Sequence, residues 1–277
     1  GDWRHGVQAE QIAAALADDK GQLIKAVCCV HNETSTGVTS DIAAVRRAMD
    51  DTGHPALLMV DTISSLASID YRHSEWGVDV TIGGSQKGLM LPPGLSFNAV
   101  SEKALAAHEA GGMTRSYWDW SAMLGANKGG AFPYTPATNL LYGLDEAISM
   151  LGEEGLQNVF QRHARLAEAT RRAVAAWGLE TVAQVESEKS NSLTAVLLPE
   201  GHDADAFRSV VLQHFNRSLG NGLGRLAGRA FRIGHLGDFN ELMLAGTLSG
   251  VEMGLAAAGI PHSKGGVQAA LDFLSEI

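Results

Sequence analysis

Short apolar, β-branched runs alternate with stretches of helical spacing along the first hundred residues. Helical period covers residues 7–16, an apolar run follows at 23–30, and the polar loop HNETSTG closes it. A second helix is expected over 40–49 with Ser40 as its cap. Another apolar strand, 56–60, ends on Asp61. The alternating run Val78, Val80, Ile82 stops at Gly83 and Gly84 and delivers Ser85, Gln86 and Lys87, after which 95–100 is again strand-like. Strands and helices in this alternation, with strands rich in apolar β-branched residues, specify a mainly parallel sheet covered on both faces. In such sheets ligands bind beyond the carboxyl ends of the strands. The HNETSTG loop, Asp61 and Lys87 each follow a strand, so all three are expected to face one crevice.

The pattern changes after residue 137. One long helical stretch is expected through LLYGLDEAISML, Gly155 and NVFQRHARLAEATRRAVAAWG, its charges lying on a solvated face. Strands are expected at 180–185, 193–198 and 230–233, with a helix over 203–215. Asp238 followed three residues on by Glu241 reads as a capping pair for a helix reaching about residue 258. The fold class is therefore α/β, with a larger domain over 1–177, long helix included, and a smaller C-terminal α+β domain over 178–277.

Composition narrows the partners. The chain has 277 residues, long enough to bury a core, and its 45% apolar content is that of a globular protein. With 21 basic against 31 acidic residues the net charge is −10, which argues against nucleic acid or an anionic membrane as partner. No apolar run approaches the roughly 20 residues of a membrane span. The adjacent Cys28 and Cys29 lie in a predicted buried strand, where neighbours point to opposite faces, so neither a disulfide nor a metal pair is expected. A reducing cytoplasm fits, and the Asp, Glu and His residues show no compact metal-ligand spacing.

The candidate chemistry centres on Lys87. A lysine between a strand end and an apolar segment is poorly placed as a solvated charge, and desolvation turns its amine into a nucleophile toward aldehydes. Asp61 at a neighbouring strand end adds a carboxylate. The pair suits pyridoxal phosphate, which needs a lysine for its Schiff base and a carboxylate to keep its pyridine nitrogen protonated. Gln86 and the hydroxyls and amides around Thr34 to Gly37 can serve its phosphate or ring oxygen. Arg232 sits in the apolar strand FRI, where an unpaired guanidinium is costly unless it clamps a substrate carboxylate or pairs with an internal acid. His31 and His235 read equally well as polar core residues and are given no catalytic role.

The motifs HNETSTGV, VDTISSLAS, GGSQKGLMLPPG, FPYTPATNLLYGL and FRIGHLGD, in this order, resemble the class V aminotransferases of fold type I. The nearest likeness is to the serine–glyoxylate and aspartate–glyoxylate group, related to alanine–glyoxylate aminotransferase. The resemblance implies that Lys87 is the Schiff-base lysine, Asp61 the partner of the pyridine nitrogen and Gln86 a phosphate ligand. It places Thr34 against the ring's phenolic oxygen and Arg232 on the substrate α-carboxylate. It has Thr135, within FPYTP, reach the cofactor phosphate of a second subunit, which implies a homodimer with shared sites. Phe132 stands where relatives can carry a tyrosine. Family members also carry a segment ahead of GDWRHG with a glycine-rich phosphate loop and a ring-stacking aromatic, so the chain as given is expected to lack both.

The activity so implied is transamination of a small L-amino acid (serine, aspartate or alanine) with glyoxylate, giving glycine and a 2-oxo acid. Two other readings compete. A class V lyase such as a cysteine desulfurase is disfavoured by Gln86, where desulfurases usually carry His, and by cysteines outside any mobile loop. A truncated, non-catalytic dimerising remnant fits the missing segment but not the retention of Asp61, Lys87 and Arg232.

Overall fold

The protein is described by a computed structural model over residues 2–276. Helix α1 (Ala9–Asp18) precedes strand β1 (Ala26–Val30), which leads into a hairpin of β2 (Asn32–Glu33) and β3 (Val38–Thr39). Helix α2 (Ile42–Thr52) and strands β4 (Leu57–Asp61), β5 (Val80–Gly84) and β6 (Ser96–Val100) follow. The first sheet has the order β1-β4-β5-β6, with β1, β4 and β5 parallel and β6 antiparallel to β5. The parallel register sets Val30, Asp61 and Ile82 side by side at the carboxyl end. The expected parallel sheet is present, and α1 and α2 pack one face of it through Leu16, Val45 and Met49 against Leu58 and Val60.

Several boundaries differ from expectation for local reasons. β5 runs through Gly83 and Gly84, which pair with Phe97 and Ser96 of β6. A Cβ on Gly83 would sit 2.7 Å from Leu66 Cδ2, so the glycine marks a close approach within the strand and not its end. The cap of α2 is Asp41, whose carboxylate accepts from the Ala44 N–H at 2.8 Å, while Ser40 Oγ accepts from Val7 N. β1 is a sheet edge and is not buried on both faces: Cys29 is buried and Cys28 exposed, the opposite-face arrangement that alternation requires.

Helices α3 (Glu102–Ala110) and α4 (Trp120–Asn127) come next, neither anticipated from the pattern. None of α4's side chains is buried, so its residues carry no core-facing stripe to find. The long helix expected from residue 137 is two helices, α5 (Thr138–Glu154) and α6 (Leu156–Ala176). Gly155 separates them with φ +81° and ψ 127°, a conformation closed to most other residues.

The second sheet is antiparallel. Its strands are β7 (Glu180–Thr181), β8 (Leu193–Leu197), β9 (Gly220–Asn221) and β10 (Ala230–Gly234), in the order β7-β8-β10-β9. Helices α7 (Ala204–Phe215), α8 (Glu241–Ala257) and α9 (Gly266–Leu274) cover it together with α6. Leu166, Ala173 and Trp177 of α6 share one core with Phe207, Phe231 and Leu248. The Phe207 and Phe231 rings lie 4.8 Å apart, and truncating either to Ala should cost about 3–5 kcal/mol. The strand expected at 180–185 is only two residues long. The cap of α8 is Asn240, which accepts from Met243 N at 2.9 Å, and not Asp238. α9 was not anticipated; Glu252 anchors its start by accepting from Gly265 N and Val267 N as well as from Trp177 Nε1.

Candidate active site

Parallel pairing places the β1–β3 loop, the end of β4 and the turn after β5 at one sheet edge. Asp61 closes β4; its Oδ1 accepts from the Ile63 N–H at 2.9 Å, which starts the turn 62–65. That turn is tied to the HNETSTG loop by several side chains. Thr34 Oγ1 and Ser64 Oγ share a hydrogen bond, and the buried Asn32 donates to the Ser64 carbonyl. Asn32 also donates to Ser192 Oγ at 3.1 Å, at the start of β8, and accepts from Thr39 Oγ1. One buried amide thus joins three segments distant in sequence.

The turn that carries Lys87 is over-determined. Ser85 Oγ donates to the Pro92 carbonyl at 2.8 Å and accepts from Leu95 N, and Leu91 N donates to the Ser85 carbonyl at 3.1 Å. Gly88 fits under residues 66–68, where a Cβ would fall 2.1 Å from the Leu66 carbonyl oxygen. A Cβ on Gly84 would come within 2.9 Å of Gln86 Oε1 and 3.5 Å of an Ile63 methyl, so the absent side chain leaves the space these groups occupy. Lys87 is half-buried, and its amine has no hydrogen-bond or ion-pair partner among the described residues.

Arg232 reaches this edge from β10. Its side chain is half-buried, not enclosed in an apolar strand as the sequence implied. Gly220, its partner on β9, leaves room for the stem: a Cβ there would meet Arg232 Cβ at 3.0 Å. Arg232 Nε donates to the Asn221 carbonyl at 2.7 Å and Nη1 to the Thr34 carbonyl at 3.0 Å. No carboxylate lies within 4.0 Å of it among the described residues, so the internal acid that would make it purely structural is not there. Burial, and then the charge of Arg208, draw its pKa downward, with Glu33 opposing. A carboxylate arriving at this guanidinium would relieve both penalties.

Thr34 is half-buried beside Ser64, Gln86 is exposed at the tip of the Lys87 turn, and Thr135 is exposed on the segment between α4 and α5. His31 is a core residue: its Nδ1 meets Ser65 Oγ at 2.9 Å, and its ring packs against Tyr71 and Trp76. Burial pushes its pKa down to about 4. His235 is fully buried against Thr194 Oγ1, and burial pushes its pKa down to about 3. Among the described residues no group of three or more His, Cys, Asp or Glu side chains could hold a metal. Sequence reading missed Asn32, Ser64 and Ser192, whose roles depend on contacts between segments; only the serines after Asp61 gave a local signal.

The donor set fits pyridoxal phosphate. An unpaired amine, a carboxylate with one oxygen outside its turn bond, paired hydroxyls and an amide over a glycine cradle stand on one sheet edge, beside a guanidinium without an acid. Residues 5–214 match the family described as aminotransferase class V. The chain is 51% identical to a serine–glyoxylate aminotransferase of Methylorubrum extorquens, over 99% of this chain and 70% of that protein. It is 45% identical to an L-aspartate–glyoxylate aminotransferase of Paracoccus denitrificans, over 97% of this chain and 68% of that protein. Among solved structures, the pyridoxamine–pyruvate aminotransferase from Mesorhizobium loti superposes with a TM-score of 0.91 at 29% identity, covering 98% of this chain and 70% of that one. The parallel-sheet edge and these likenesses agree: the chain belongs to the class V aminotransferases, enzymes of fold type I that work with pyridoxal phosphate.

Proposed function

We propose that the protein transfers the amino group of a small L-amino acid (serine, aspartate or alanine) to glyoxylate, giving glycine and a 2-oxo acid. The observation that carries the reading is Arg232, a half-buried guanidinium bonded, among the described residues, only to main-chain carbonyls and fixed to the loop that bears Thr34. Both an amino acid and a 2-oxo acid bring one α-carboxylate to such a group. The serine–glyoxylate and aspartate–glyoxylate names of its relatives support glyoxylate as acceptor.

In this reading Lys87 anchors the cofactor and Asp61 faces its pyridine nitrogen, with Gln86 at the phosphate and Thr34 at the phenolic oxygen. When bound, the cofactor supplies an electron sink for the carbanion formed at the substrate Cα. The protein does the rest. Arg232 orients the substrate by its carboxylate so that the Cα–H faces Lys87. With the cofactor bound, the Lys87 amine would take the Cα proton as general base and, as general acid, would deliver it to the cofactor carbon C4′, the shift that transamination requires. Asp61 holds its proton-bearing partner by charge, and the Ile63 N–H keeps that carboxylate oriented.

A second copy of the chain completes the site. Thr135 is exposed, and on the same stretch of chain, residues 117–142, Tyr117, Trp118, Tyr134 and Tyr142 are also open, with exposures of 68%, 85%, 44% and 79%. So much exposed aromatic surface calls for a covering partner, and a homodimer would bring Thr135 to the other subunit's phosphate. No helix among the described residues is long and apolar enough to cross a membrane, and we place the enzyme in the cytoplasm. We assign residues 1–177 to the cofactor domain and 178–277 to a small domain that supplies Arg232.

Borohydride reduction of the cofactor-loaded protein, followed by peptide mapping, tests the core of the reading. The label is expected on Lys87; a label on another lysine would overturn it.

A further inference from the structure

The loop that follows β10, residues 235–239, lies against the back of the Lys87 turn. Gly237 has φ +82°, and a Cβ built on it would stand 3.3 Å from Met90 Cγ and 3.8 Å from the Lys87 carbonyl oxygen. Met90, itself at φ +64°, donates its N–H to that same carbonyl at 2.9 Å. Gly237 is therefore packed against the turn that carries the lysine.

Two consecutive residues of α6 grip this glycine from both sides. The Gly237 N–H donates to His163 Nε2 at 3.0 Å, and Arg162 Nη1 donates to the Gly237 and Phe239 carbonyls, each at 2.9 Å. Arg162 is held in turn by Glu154 through a two-pronged pair at 2.7 and 2.9 Å across the Gly155 break. His163 is fully buried and has one consistent protonation pattern: Nδ1–H donates to the Val159 carbonyl at 2.7 Å, leaving Nε2 unprotonated to accept. Burial lowers its pKa, which keeps the ring neutral. Five residues before Gly237, on the same strand and loop, is Arg232.

We propose that His163 is a positioning residue: by accepting the Gly237 N–H it seats the 235–239 loop on the Lys87 turn and so sets the span between the Lys87 amine and the Arg232 guanidinium. The inference rests on the reading of Lys87 and Arg232 given above. A side chain that only stabilised α6 would need the bond to Val159 and not the one to Gly237.

The two bonds can be separated by substitution. His163→Asn can keep a donor near Nδ1 but cannot reach Gly237, whereas His163→Gln can place an oxygen near Nε2. In the protein without added cofactor, amide hydrogen exchange at residues 235–239 and at Met90 should rise about tenfold in His163→Asn, the equivalent of roughly one hydrogen bond, and stay near parent in His163→Gln. With cofactor and substrates, His163→Asn should raise KM for both L-serine and glyoxylate about tenfold, with cofactor affinity unchanged and His163→Gln restoring the parent values. Parent exchange at Met90 in a folded His163→Asn variant overturns the proposal, as do equal losses in both variants. Arg232→Lys is measured in parallel: if it leaves both KM values at parent while Met90 exchange responds to His163→Asn, the substrate-site reading has failed and the packing link alone survives.

Discussion

Arg232 and Thr34 are joined by a side-chain-to-main-chain hydrogen bond of 3.0 Å that crosses from the second sheet to the loop of the β2–β3 hairpin. The residue proposed for the substrate carboxylate is thereby fixed to the loop proposed for the cofactor ring. Arg232→Lys keeps the charge but cannot hold the Thr34 and Asn221 carbonyls and a carboxylate together. It should cost roughly 2–4 kcal/mol in kcat/KM, about thirty- to a thousandfold, in both half-reactions, with the cofactor spectrum unchanged. Parent rates in both half-reactions would show that the carboxylate binds elsewhere.

Asp61→Asn separates charge from shape. The amide oxygen can still accept from Ile63 N, so the melting temperature should move little. Turnover should fall by at least about a hundredfold, because the negative charge opposite the pyridine nitrogen is gone. Single-turnover kinetics beside a thermal melt decide the matter; parent turnover assigns the carboxylate another job.

The exposed aromatic surface around Thr135 gives a test of assembly. Trp118→Asp, at a side chain 85% exposed in the single chain, should leave folding intact and shift the sedimentation coefficient from dimer to monomer. Cofactor affinity should fall with it. If the variant sediments as a dimer, Trp118 is outside the interface.

His31 makes stability depend on pH. Its folded pKa, about 4, lies below the ordinary 6.5 because burial disfavours the imidazolium. Between these values the unfolded chain binds a proton that the folded chain refuses, so stability is full above about 6.5 and is lost as pH falls toward 4. His31→Asn should reduce the slope of unfolding free energy against pH in this window by up to about one proton, read from urea midpoints. An unchanged slope would mean that His31 is protonated without penalty.

What the sequence determined by itself was the family and the order of the strands that carry the candidate site. Apolar β-branched runs ending on Asp61 and just before Lys87, alternating with helical stretches, specify a mainly parallel sheet, because each pattern is written within its own segment. Parallel pairing then brings both residues to one edge without further information. The closely spaced motifs around them identify the family for the same reason: each lies within a single segment. Tertiary structure decided what depends on contacts between segments. Gly83 reads as a strand end until Leu66 shows why no side chain fits there, and Gly155 is one small residue in a helical period until its φ breaks the helix. Arg232 carries no local sign of its partners, which are carbonyls on two other segments. His163 is indistinguishable, within a charged helical stretch, from its solvated neighbours. Its burial, and its bond to Gly237, exist only once α6 is folded onto the loop behind Lys87.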